Sequence, residues 1–382
     1  MNFLSSLKQS SVATVGAVMI TVAIKLPSTA NTFNPAPLFL NTASYSTMIP
    51  RSDGGADAAD IYYPLLLSSG TEENSLPIAL FLQGALVDKS DYSNFASTVA
   101  GYGFVVVVPN HVRTAISPMG SVTGLIAEQQ QVNDVLSYMV AEDSNPSSPV
   151  AGNLDSSTLV LLGHSFGGAV GLAVMQNKCF PVLCTTGKFE RPDALKGGAF
   201  YGTNFLIGQG PGAVSPIDND SIPIALVQGS RDSVATPTAA IATYARIQDP
   251  PKAIITVTGA NHYGITNEDN FYREPVRPTL EQDVATETIA RWSALFLRGT
   301  VLNDTQAFDY VFNTGDALSE NVSVVREAKP VPEPSFVVSL LGLGTMGLGS
   351  LLLRKWINCF GRITGGRGGN PISQTSLKMS EP

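Results

Sequence analysis

Between residues 57 and 298 two hydrophobic rhythms take turns along the chain. Solid apolar runs such as Ile78–Leu82, Phe104–Val108 and Thr158–Leu162 lack the in-and-out alternation of a half-exposed strand. They fit parallel strands buried on both faces. Ala59–Tyr63, Gly198–Tyr201, Ile222–Val227 and Ala253–Val257 complete the predicted strands. Helices are predicted over Tyr92–Ala100, Val122–Val140, Gly167–Gln176, Pro237–Ala245 and Gln282–Leu297. In the last of these, Val284, Ile289, Trp292 and Phe296 fall near one helical face. Alternating strands and helices predict an α/β architecture, with a mostly parallel central sheet and helices on both faces. In such a sheet ligands bind beyond the carboxyl ends of the strands.

The two ends follow different rules. In residues 1–30, Lys8 precedes an apolar stretch from Val12 to Ile24, and Ser28-Thr29-Ala30 offers the small residues of a cleavage site. This reads as a secretory signal peptide, so the domain that follows is expected to be exported. Residues 31–300 are then expected to form the main folded domain, and residues 301–330, with only a weak Phe308/Tyr310/Phe312 alternation, read as a linker. In residues 331–355, Pro332-Glu333-Pro334 is followed by eighteen uncharged residues, Phe336–Leu353, and by Arg354-Lys355. That run just suffices to cross a bilayer, and the basic residues behind it place the C-terminal end in the cytoplasm. Residues 356–382 are a Gly- and Ser-rich basic tail.

Composition narrows the function. There are 23 Lys plus Arg against 31 Asp plus Glu, a net charge of −8, without a basic block in the central region. This argues against a nucleic-acid partner. Apolar residues at 44% and charged residues at 14% exclude disorder for the bulk of the chain. Three Cys and three His, without metal-ligand spacing, leave no basis for a zinc or iron–sulfur site.

The strongest chemical signal is Leu161-Leu-Gly-His-Ser-Phe-Gly-Gly-Ala169, a Gly-x-Ser-x-Gly between a strand and a small-residue helix. Glycines at 163 and 167 let strand and helix approach, so that Ser165 stands on a tight strained turn. The backbone N–H of Phe166 points to the same place and can stabilise an oxyanion. A serine needs a base. His164 leaves the elbow in another direction and reads as packing, and His111 reads as a structural histidine. His262, in the loop after the strand Ala253–Val257, is the expected base. Asp232, just beyond the strand Ile222–Val227, is the expected orienting carboxylate, in the chain order Ser, Asp, His. The turn after Ile78–Leu82 offers the N–H of Ala85 as second oxyanion donor, with Leu86 next in line.

These motifs resemble the α/β-hydrolase superfamily. Within it the chain looks like the cluster of platelet-activating-factor acetylhydrolases, chlorophyllases and bacterial cutinase-like polyester hydrolases. The resemblance spans about residues 57–298 and rests on Ala59-Asp-Ile-Tyr-Tyr-Pro64, the Gln83-Gly84 turn, Gly101-Tyr-Gly-Phe-Val105, Gly163–Gly168 and the Asp232 and His262 loops. It implies a Ser165–His262–Asp232 triad, an Ala85 and Phe166 oxyanion hole, and neither metal nor organic cofactor. Two positions depart from it: Gln83 stands where many relatives have His, and Ala85 where cutinase-like polyester hydrolases have an aromatic residue. The C-terminus resembles the PEP-CTERM sorting signal of Gram-negative bacteria, which implies processing by an exosortase. It continues 27 residues past the basic pair, from Trp356 to Pro382.

Two expectations remain. Cys179 and Cys184 could close a small disulfide loop in an exported chain, with two free buried thiols as the alternative. Phe205 and Leu206 are expected to border the acyl pocket. The reading as a whole is an exported serine ester hydrolase held at least transiently at the membrane. Its rivals are a lipase or phospholipase acting on membrane lipid, an acyltransferase, and a non-catalytic binding protein on the same scaffold.

Overall fold

Alternate side chains of the apolar strands feed two different cores. Phe81, Val106, Leu162, Val227 and Ile255 face a core closed by Phe95, Ile289, Trp292 and Phe296. Their neighbours Leu80, Val107, Leu161, Leu226 and Ile254 face a second, closed by Val135, Met139, Val170 and Leu172. A strand buried on both sides must be apolar at every position, which is why these runs lack a polar face. The computed structural model describes residues 35–65, 75–117, 120–206 and 214–328. The signal-like residues 1–30 and the Pro-Glu-Pro, apolar and basic segments within 331–382 lie outside the described residues.

The strands are β1 (Thr42–Pro50), β2 (Ala56–Pro64), β3 (Leu76–Leu82), β4 (Val105–Asn110), β5 (Val112–Ser117), β6 (Gly120–Leu125), β7 (Leu154–His164), β8 (Leu195–Tyr201), β9 (Ile224–Gly229), β10 (Lys252–Val257) and β11 (Val322–Glu327). Nine of them form one sheet in the order β1-β2-β4-β3-β7-β8-β9-β10-β11, and β5 and β6 form a separate hairpin. The six strands from β4 to β10 run parallel, and antiparallel strands border them at both ends. The helices are α1 (Ser93–Gly101), α2 (Gln131–Asp143), α3 (Phe166–Met175), α4 (Pro237–Tyr244), α5 (Gln282–Val301), α6 (Thr305–Asp309) and α7 (Gly315–Leu318). Helices α1 and α5 close the first core, and α2, α3 and α4 the second. This is an α/β fold. The chain steps outward from β3 to β4, then returns across β3 to β7, so the order reverses between β3 and β7. The crevice at their carboxyl ends is where an open α/β sheet binds its ligand.

All seven predicted strands are present, with shifted ends. Elsewhere the structure corrects the sequence reading. The helix predicted over Val122–Val140 begins only at Gln131, because Gly120-Ser-Val-Thr-Gly-Leu125 pairs with β5. Two glycines and two β-branched residues make that segment a poor helix. Val284 is exposed, whereas Ile289, Trp292 and Phe296 are fully buried. Residues 301–328 are not a free linker. After α6, a π-helical turn over Tyr310–Thr314 and α7, β11 pairs with β10 and closes one edge of the sheet. Tyr310 packs on Trp292, and Phe312 stacks on Phe308, so this segment completes the first core. The folded unit therefore ends at Ala328 rather than near residue 300. Among the described residues no helix is long and apolar enough to cross a membrane.

Candidate active site

Ser165 sits between β7 and α3 with φ 53° and ψ −118°, a conformation that costs about 1–3 kcal/mol for a non-glycine residue. The neighbouring glycines hold it there. A Cβ on Gly167 would lie 2.1 Å from the Leu82 carbonyl oxygen, and one on Gly163 would lie 3.0 Å from the Gly168 backbone. The Ser165 N–H donates to the Tyr201 carbonyl at the end of β8, and Thr203 Oγ1 donates to the Ser165 carbonyl at 2.8 Å. The elbow is thus fixed on both sides and its hydroxyl faces outward.

Ser165 Oγ donates to His262 Nε2 at 2.9 Å, and His262 Nδ1 donates to Asp232 Oδ2 at 2.8 Å. His262 and Asp232 are buried, and Ser165 is half-buried. Backbone N–H groups of Val234 and Ala235 donate to Asp232 Oδ1 at 2.9 and 2.7 Å, and Gln228 Nε2 donates to Oδ2 at 3.3 Å. With its other lone pairs engaged, the carboxylate presents one direction to the imidazole. The structure therefore brings the three residues singled out in the sequence into one hydrogen-bonded line. Such a line lets a hydroxyl lose its proton to an imidazole whose tautomer a carboxylate fixes.

A cavity of about 300 Å³ opens over Ser165. Ala85, Phe166, Ala169, Val234 and Ala235 give it apolar lining, and Gly202, Thr203 and Asn204 supply polar groups. The N–H groups of Ala85 and Phe166 have no acceptor among the described residues, so both are available to an oxygen in that cavity. The N–H of Leu86, the second choice, is taken: it donates to the Leu125 carbonyl at 2.6 Å. Leu86 itself has a φ of 58°, a second strained residue beside the cavity. Arg273 grips this turn by donating to the Ala85 and Leu86 carbonyls at 2.8 and 3.2 Å.

Phe205 and Leu206 do not line this cavity. Phe205 is buried in the second core, edge-on to Phe180, and Leu206 packs against the same cluster. The Phe205 N–H donates to Thr243 Oγ1 at 3.0 Å. Cys179 and Cys184 are joined in a disulfide, and Phe180 within that loop is the ring that covers Phe205.

Several residues not foreseen from the sequence hold the site. Glu274 is fully buried and accepts from Ser233 N, Ser233 Oγ and Val276 N, pinning the loop after Asp232. Burial alone would raise its pKa, but these hydrogen bonds bring it below the usual glutamate value. In the His262 loop, Asn261 donates to Asp269 and to the Val276 carbonyl, and the Tyr201 hydroxyl donates to the Asn261 carbonyl. His111 and His164 are both buried away from Ser165 Oγ. His111 lies between Asp57 and Glu128.

Against known proteins, a chlorophyllase family model matches residues 41–184. The chain is 30% identical over 112 residues to chlorophyllase type 0 of Chenopodium album, covering 29% of this chain and 32% of that protein. It is 25% identical over 178 residues to a cutinase of Thermobifida fusca (strain YX), covering 44% of this chain and 54% of the cutinase. The chain thus spans about a third to a half of the length of these curated relatives. The family match includes Ala85, Ser165 and Phe166 and ends before Asp232 and His262. Sequence kinship therefore supports an α/β-hydrolase esterase family, while the assembly of the site rests on geometry.

Proposed function

We propose that this protein is a serine carboxylic ester hydrolase working through an acyl-enzyme. The observation that carries the proposal is the Ser165–His262–Asp232 line beneath a cavity flanked by two free amides. His262 takes the Ser165 proton as Oγ attacks the ester carbonyl. The oxygen of the tetrahedral intermediate accepts from the N–H groups of Ala85 and Phe166. His262 then gives its proton to the leaving alcohol as the ester C–O bond breaks, and water repeats the sequence to release the acid from Ser165.

The relatives are named a chlorophyllase and a cutinase, and ester hydrolysis is the one chemistry proposed for this chain from that similarity. The test is hydrolysis of p-nitrophenyl esters from acetate to palmitate by the parent and by Ser165→Ala. Activity lost in the mutant supports the proposal. A folded, inactive parent would favour a binding protein on this scaffold.

A lipid ester is the second reading, favoured by Leu86 and Val234, half-exposed apolar residues beside the cavity. An optimum at long acyl chains would select it. Export and C-terminal processing are proposed from the sequence alone. The intact mass of protein from its native host tests both: loss of residues 1–30 supports export, and retention of Phe336–Leu353 would reject exosortase processing.

A further inference from the structure

His164 is the residue beside the nucleophile that the reaction above leaves unused, yet it is fully buried and bonded at both ring nitrogens. Its Nε2 lies 3.0 Å from the His262 carbonyl oxygen. A carbonyl only accepts, so the proton sits on Nε2. Nδ1 must then accept, and it does so from the Tyr92 hydroxyl at 2.9 Å. The same hydroxyl oxygen accepts from the Gly84 N–H at 3.0 Å. Every donor in this chain meets an acceptor: Gly84 N–H to Tyr92, Tyr92 O–H to His164, His164 Nε2–H to His262. It joins the turn carrying Ala85, the elbow carrying Ser165 and the loop carrying His262.

The space around the relay is closed. A Cβ on Gly84 would come within 2.7 Å of His164 Nδ1 and 3.2 Å of the Tyr92 hydroxyl, so only glycine admits these contacts. Tyr92 is fully buried against Phe81, and the His164 ring lies 4.8 Å from the His262 ring. Burial and the neighbouring His262 push the His164 pKa well below the histidine value, and burial pushes that of Tyr92 well above the phenol value. Both groups therefore stay neutral and the direction of the relay does not change with turnover.

We infer that Tyr92 and His164 are positioning residues for the proposed ester hydrolysis, setting the oxyanion donor of the Ala85 turn and the imidazole of His262 at a fixed separation across Ser165. The inference rests on the acyl-enzyme reading. Neither residue touches substrate; each acts through the backbone it holds. Misplacement of reacting groups by about 1 Å can lower turnover about 100-fold without loss of binding.

The experiment compares the full chain with Tyr92→Phe, which keeps the ring packing and removes only the hydroxyl. Two readouts are taken: the His164 tautomer by 15N NMR, and kcat and KM on a p-nitrophenyl ester. The expected result is an Nε2-protonated His164 in both proteins, since the His262 carbonyl still accepts its proton, a shifted Nδ1 resonance in Tyr92→Phe where the hydroxyl is lost, and kcat lower by about 10- to 100-fold with KM unchanged. His164→Gln should lose turnover too, and the double variant should lose no more than His164→Gln alone, because both break one relay. If His164→Gln does not fold, Tyr92→Phe decides. An Nδ1-protonated His164 in the parent, a kcat for Tyr92→Phe within twofold of the parent, or a loss seen in KM alone would overturn the inference while leaving ester hydrolysis standing. A folded parent that hydrolyses no ester would overturn both.

Discussion

Among the described residues two buried histidine–aspartate pairs have nearly equal geometry. His262 lies 2.8 Å from Asp232, and His111 lies 2.7 Å from Asp57. Each histidine follows the carboxyl end of a parallel strand, β10 in one case and β4 in the other. The difference is what stands beyond the ring. His262 Nε2 meets the hydroxyl of Ser165, and the remaining partners of Asp232 are neutral amides. His111 Nε2 faces the Glu128 carboxylate at 3.3 Å, outside hydrogen-bonding alignment, and Asp57 also pairs with Arg51. Burial alone would lower the His111 pKa, but Asp57 and Glu128 outweigh it and hold the value above that of ordinary histidine. His111 thus holds its proton more tightly than an ordinary histidine, between two carboxylates. A histidine–aspartate pair is not by itself a catalytic device; the group at the far nitrogen decides whether the ring cycles its proton or keeps it.

The largest expected effect that separates the two pairs is on turnover. Ser165→Ala should lower kcat by about 10⁴- to 10⁶-fold with an unchanged melting curve, measured on p-nitrophenyl esters. Asp232→Asn should lower kcat by about 10⁴-fold through the wrong imidazole tautomer. Asp57→Asn should do the reverse. It keeps kcat within a few-fold of the parent and destabilises the fold by about 3–5 kcal/mol in denaturant titration, because His111 and Arg51 lose a buried partner. Equal losses of turnover in the two Asp→Asn variants would break the comparison.

A pH series sharpens it further. Because the folded pKa of His111 lies above the 6.5 of an ordinary histidine, its contribution is complete below that pH and is lost as pH rises through the folded value. Glu128 is held below the 4.5 of an ordinary glutamate, since His111 and Thr185 overcome the upward push of burial. Its contribution is present above that pH and is lost as pH falls through the folded value. The stability gap between the parent and His111→Gln is therefore expected to be widest between about pH 4.5 and 6.5 and to narrow on the alkaline side. A gap that widens as pH rises above about 6.5 would contradict the assignment. Smaller effects are expected at the cavity: Val234→Ala should shift acyl-chain preference a few-fold, whereas Phe205→Ala should cost about 3–5 kcal/mol of stability and leave the preference unchanged.

What the sequence reveals depends on whether the constraint is local. Gly163, Ser165 and Gly167 announce their turn because the close approach of strand and helix acts within five residues. Asp232 and His262 are legible because strand ends in this topology converge on one crevice. Tyr92, Gln228, Arg273 and Glu274 are not, because their roles depend on partners distant in the chain or on loop shape. Tyr92 meets His164 from 72 residues away, and Glu274 reaches Ser233 from 41. The segment 301–328 hides for another reason. Its three helical pieces are each too short to display a period, so the apolar Tyr310, Val311 and Phe312 carry no readable face. Phe205 shows the opposite error: an aromatic residue near a pocket by sequence packs into the core, edge-on to Phe180.

The central claim is that Ser165 is made nucleophilic by His262. Its most direct test is reaction of the full chain with a fluorophosphonate, followed by peptide mapping. The account predicts one phosphonyl group per chain, on Ser165, with labelling abolished in His262→Ala. A folded protein that acquires no adduct on Ser165, or one labelled at the same rate in His262→Ala, would contradict it.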